Sequence, residues 1–89
     1  MNQKELYAYI EESEFSYLAE GEGIWVVGGS ADEEGPISIA SMEEGYIVNC
    51  MNMMKKQLDG DSIKQVDNKY RNAIKKLVID KIEELKTYL

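Results

Sequence analysis

Gly23-Ile24-Trp25-Val26-Val27-Gly28-Gly29-Ser30, followed after a short acidic run by Pro36-Ile37-Ser38-Ile39-Ala40, is the stretch that decides the fold class. Residues 24–27 are β-branched and aromatic, a composition that fits a pleated, half-buried surface, and the Gly-Gly-Ser that follows stops the run. Ile37 and Ile39 alternate with smaller neighbours, and Pro36 suits the first position of an edge strand. The two runs predict an antiparallel hairpin with an acidic loop at 30–35. The segments around them carry helical periodicity, so the expected class is α+β: an N-terminal helix, the hairpin, then two helices, the last one long. The alternation of Phe15 and Tyr17 also permits a third strand, and leaves residues 13–20 open between helix and strand.

Upstream, Asn2 with Glu5 three residues later has the spacing of a capping box, and Leu6, Tyr9 and Ile10 share the face of the helix it would start. That helix could run on to Ala19 with Gly21 as its cap. Downstream, Ser41-Met42-Glu43-Glu44 reads as a second capping box, opening a helix to Leu58 that Asp59-Gly60 closes. Tyr46, Ile47, Cys50, Met51, Met53, Met54 and Leu58 fall within an arc of about 160° on it. Gly45 in its first turn costs up to about 1 kcal/mol against alanine, which suggests a close backbone contact there. Asp61 or Ser62, with Gln65, caps the last helix. Apolar positions then recur at Ile63, Val66, Tyr70, Ala73, Ile74, Leu77, Val78, Ile82, Leu85 and Leu89. A continuous helix of about 27 residues would be roughly 40 Å long, and a globule of this size is only about 30 Å across. The helix must therefore break, or overhang and bury its apolar side on a second copy of the chain.

With 89 residues, the sequence has material for one core and is expected to form a single domain over 1–89. It contains no histidine and one cysteine, Cys50. That removes the usual general base, the serine and cysteine triads and the common zinc sites, so an enzyme is not expected, nor a metal or other cofactor. Asp59, Asp61 and Asp67 do not fit a calcium loop. The lone cysteine, the absence of a signal-type pattern in residues 1–10 and the lack of a bilayer-length apolar run point to a soluble protein of the reducing cytoplasm.

Charge is divided unevenly. Residues 1–49 hold eleven carboxylates and one lysine, a net of −10, whereas residues 50–89 hold six carboxylates and nine basic side chains, a net of +3. Glu11, Glu12, Glu14, Glu20, Glu22, Asp32, Glu33 and Glu34 are the candidate partner-binding residues. Spaced carboxylates can occupy the lysine and arginine sites that a nucleic-acid-binding protein keeps for phosphates. A solvated acidic surface that keeps a small domain dispersed would have the same composition. A second candidate set is Trp25 and Tyr46, which could stack on a nucleobase, with Arg71 and Lys75, which could hold its phosphates. The basic stripes Lys64, Arg71, Lys75 and Lys69, Lys76 also suit a plain solvated helix face. Cys50, Met51, Met53 and Met54 could form an adaptable groove, although their spacing favours the core, with Tyr46 and Met53 at its margin. Gly28-Gly29-Ser30 lacks the lysine and helix of a phosphate loop. Glu33 and Glu34 have no constellation around them for acid-base chemistry. The overall charge of −7 disfavours direct nucleic-acid binding.

Trp25, Gly28-Gly29, Ile37 and Ile39, Met42, and Tyr46-Ile47-Val48-Asn49-Cys50-Met51 together resemble a pattern of small bacteriophage and prophage proteins: a tryptophan strand, a glycine turn, a short strand with alternating isoleucines, a methionine and a helix. The resemblance spans about a third of the chain and implies a phage-type accessory protein, acting in the cytoplasm of the host cell. In size and acidity the chain is similar in type to anti-CRISPR and other counter-defence proteins. The leading expectation is an inhibitor that covers the nucleic-acid-binding surface of a bacterial defence protein such as a CRISPR effector. The rivals are a sponge for a nucleotide immune signal and a self-assembling structural or regulatory phage protein. No membrane partner is expected, and a homodimer is kept in view.

Overall fold

In the computed structural model, which describes residues 2–26 and 36–89, Asn2 is extended and its Oδ1 accepts the Glu5 N–H at 2.8 Å, which starts α1 (Gln3–Glu11). Leu6 and Ile10 are its buried positions. The helix does not continue to Ala19. The Ser13 hydroxyl donates to the Ile10 carbonyl at 2.8 Å and its oxygen accepts the Phe15 N–H at 3.1 Å, a local alternative to helical pairing that serine offers readily. Residues 13–20 hold no strand: a 3₁₀ helix runs over Ser16–Glu20, burying Tyr17 and Leu18, and Gly21 ends it at φ 84° and ψ −164°.

β1 (Ile24–Val26) and β2 (Pro36–Ser38) pair antiparallel, with Ile24 opposite Ser38, Trp25 opposite Ile37 and Val26 opposite Pro36. The hairpin is as expected, and no third strand forms among the described residues. Its second strand is shorter than the alternation suggested. The Ile39 N–H still donates to the Gly23 carbonyl at 2.9 Å, but Ile39–Ser41 is already a 3₁₀ turn in which Ile39 is fully buried. The Ser41 hydroxyl donates to the Ser38 carbonyl at 2.7 Å and so closes that turn, and no helix starts at Ser41.

α2 (Glu44–Asp59) starts instead from an extended Glu43 whose side chain makes no capping bond. Ile47, Cys50, Met51 and Met54 are buried, whereas Tyr46 and Met53 stay 38% and 40% exposed. At Gly60 the backbone passes so close that a Cβ would lie 2.9 Å from the Lys56 carbonyl oxygen, which explains the glycine without any left-handed geometry. Gly45 has open space around it, contrary to the close contact expected there. Of the two outcomes that its length left open, the long final segment takes the break: α3 (Asp61–Lys64) is separated by residues 65–67 from α4 (Asn68–Lys86). Ile63, Val66, Tyr70, Ile74, Val78, Ile82 and Leu85 are buried, as the periodicity predicts, and Lys81 is buried among them, whereas Ala73 and Leu77 are half-buried and Leu89, past the end of α4, is exposed. The chain thus packs as two compact units, Met1–Ser41 around the hairpin and Met42–Leu89 around α2, α3 and α4. No helix among the described residues is long and apolar enough to cross a membrane.

Candidate functional site

The unit boundary sharpens the charge asymmetry. Met1–Ser41 holds nine carboxylates and the single cation Lys4, a net of −8, while Met42–Leu89 holds eight carboxylates and nine cations, a net of +1. Of the candidate acidic residues, Glu11, Glu12, Glu14, Glu20 and Glu22 are all exposed. Asp32, Glu33 and Glu34 lie outside the described residues, as do Gly28, Gly29 and Ser30. Among the described residues no ion pair reaches Glu11, Glu12, Glu20 or Glu22.

Glu11 is the last residue of α1 and Glu12 its C-cap, and no basic side chain sits in that last turn. The carbonyl end of a helix carries partial negative charge, so each carboxylate is misplaced there by about 0.3–1 kcal/mol. A purely stabilising sequence would put lysine at these positions. Glu20 and Glu22 flank Gly21, whose positive φ turns the chain between the 3₁₀ turn and β1. Four carboxylates are therefore displayed by the two turns that bracket the buried aromatic cluster. In that cluster Tyr17 stacks on Trp25 with ring centroids 4.8 Å apart, and Phe15 lies 6.4 Å from Tyr17. Burial pushes the Tyr17 phenol well above its ordinary range, so it stays protonated.

The second candidate set is dispersed by function. Trp25 is buried, with one ring face covered by Tyr17, so its part is packing. An Arg71 guanidinium nitrogen donates to the Lys64 carbonyl at 2.9 Å and to the Val66 carbonyl at 2.8 Å, which satisfies backbone groups left open where α3 ends. Its Nε is buried without a partner. Arg71 is thus a clip across the helix break. Tyr46 and Lys75 remain exposed. Cys50 is buried, and burial pushes its thiol up to about 11, away from the reactive thiolate.

Two features escaped sequence reading. Lys81 lies on the core face of α4, 5% exposed, with Nζ 3.0 Å from a Glu84 carboxylate oxygen one turn on; the i, i+3 spacing of the pair was its only signal. Ile79 lies on the opposite face at 50% exposure, and its absence from the apolar set of the last helix was visible. An open depression of about 460 Å³ at the end of α2 is lined by Asn52, Lys55, Lys56, Asp59 and Gly60. Among the described residues no three acidic or cysteine side chains come together as metal ligands.

No family model matches this chain, and no curated protein or solved structure matches it.

Proposed function

We propose that this chain is a phage-type binding protein of the host cytoplasm that acts by occupancy, not catalysis. Its acidic unit docks on the basic nucleic-acid-binding surface of a bacterial defence protein, such as a CRISPR effector, and keeps DNA or RNA away. The observation that carries this reading is the placing of exposed carboxylates against the folding interest of their own unit. Glu11 and Glu12 sit at the wrong end of α1, in a unit of net charge −8. Sequences depart from local stability rules where a site requires it. A charge set of this kind steers association with a basic partner and weakens as salt screens it.

The nucleotide sponge finds less support, because Trp25 and Arg71 are engaged in internal contacts. The test uses the chain immobilised and challenged with RNA-guided nucleases, with and without their guide RNA. Binding is expected to compete with nucleic acid, to fall steeply between low and physiological salt, and to be lost in the quadruple variant E11K/E12K/E20K/E22K. Inhibition that survives those four reversals overturns the acidic-surface mechanism.

A further inference from the structure

The outward face of α4 carries a feature that the acidic-unit reading does not use. A single exposed isoleucine is ordinary on a protein surface. The neighbours of Ile79 make it less so. Lys75 stands four residues before it and Glu83 four residues after it, all three exposed. Residues spaced i, i+4, i+8 form one of the ridges by which helices pack on each other. This ridge runs positive, apolar, negative, and such an order is self-complementary for one arrangement. When a second copy lies antiparallel with Ile79 opposite Ile79, Lys75 of each chain meets Glu83 of the other. A parallel pairing would set lysine against lysine and glutamate against glutamate. The flanking charges do not compete for the contact: Lys76 pairs with Asp80 at 3.8 Å within the helix, and Lys86 reaches Glu83 at 3.3 Å, from where Glu83 can be shared with an incoming lysine.

We infer that two copies of this chain associate through an antiparallel, two-fold contact between their α4 helices, centred on Ile79 and held in register by the reciprocal Lys75–Glu83 pairs. The contact is isologous, as the commonest homodimer interfaces are. One isoleucine pair and two surface ion pairs bury far less than the roughly 1,200–2,000 Å² of a stable interface, so the dimer is weak and forms at high protein concentration. It lies wholly in Met42–Leu89 and does not depend on what the acidic unit binds.

Sedimentation equilibrium of the full chain over about 0.05–2 mM, at low salt, tests the inference. Wild type is expected to dimerise reversibly. K75E and E83K should each weaken association roughly tenfold, since two attractions become two repulsions, and the double swap K75E/E83K should restore it to within about threefold. Register is read independently in a Cys50→Ala background. Ile79→Cys is expected to cross-link to its own copy with a short bismaleimide. Asn72→Cys is expected not to, because seven residues either side of the axis place the two thiols about 21 Å apart along the helices. A chain that stays monomeric to 2 mM, a double swap no better than the single variants, or cross-linking at position 72 as efficient as at 79 overturns the inference. Positions 72, 75, 79 and 83 are exposed, so circular dichroism of each variant should match its parent, wild type or, for the cross-linking variants, the Cys50→Ala chain in which one buried side chain is shortened.

Discussion

Gly21 and Gly45 both have open space where a Cβ would go, yet alanine is expected to act in opposite directions at the two. At Gly21 the backbone sits at φ 84° and ψ −164°, a region that essentially only glycine occupies, so Gly21→Ala should destabilise by about 1–3 kcal/mol without any clash. At Gly45 the conformation is that of an ordinary first helical turn, and Gly45→Ala should stabilise by roughly 0.4–1 kcal/mol through the unfolded state. Urea melts of the two variants against wild type check both signs. These glycines also show what a sequence reading resolves at this scale. It marks Gly21, Gly45 and Gly60 as special, but a positive φ at the first, nothing at the second and a carbonyl 2.9 Å away at the third look alike before the chain is folded. The same limit explains Trp25 and Arg71. A residue able to stack or to bind phosphate is recognisable from its chemistry, whereas its engagement by Tyr17, or by the Lys64 and Val66 carbonyls, depends on partners that folding brings near.

Elements were more legible than residues, because periodicity sums many positions. The hairpin, the apolar face of α2 and the buried series from Ile63 to Leu85 all follow from spacing. Boundaries followed less well where a short polar side chain was spent locally. Ser13 bonds locally just beyond the end of α1 and Ser41 closes a 3₁₀ turn, so α1 stops short of Ala19 and the next helix does not start at Ser41. Length left the last segment either to break or to overhang, and it breaks between α3 and α4, where the Arg71 guanidinium ties the two helices through the carbonyls on either side of Gln65. Charged donors to carbonyls are worth about 1.5–3 kcal/mol, and the partial exposure of this pair and the unpartnered Nε reduce the total. Arg71→Ala is expected to cost about 1–2 kcal/mol. Hydrogen exchange should rise most at the amides of Gln65, Val66 and Tyr70, with those of mid-α4 following only the global change. Arg71→Lys should recover less than half of the loss, since one guanidinium nitrogen serves both carbonyls from the end of a longer, planar head with fixed N–H directions, which the shorter lysine lacks. Uniform acceleration along α4 would show that the clip is not local.

At the scale of the whole molecule, salt should move stability and binding in opposite directions, which separates the proposed function from a trivial loss of fold. A net charge of −7, concentrated as −8 in Met1–Ser41, repels itself in the compact state, and screening relieves that repulsion. The melting temperature of the free chain is therefore expected to rise between about 0.02 and 0.3 M sodium chloride, over the range in which attraction to a basic partner declines. The quadruple reversal E11K/E12K/E20K/E22K changes the formal charge by +8, from −7 to +1, and places lysines where the carbonyl end of α1 favours them. That variant should melt no lower than wild type and lose most of the salt dependence of its melting, while it no longer binds. If the carboxylates instead served to hold the unit together, the reversals would lower the melting temperature, and wild type would become less stable as salt increased. Calorimetric melts of both proteins at three salt concentrations distinguish the two, because the sign of the slope, not its size, carries the answer.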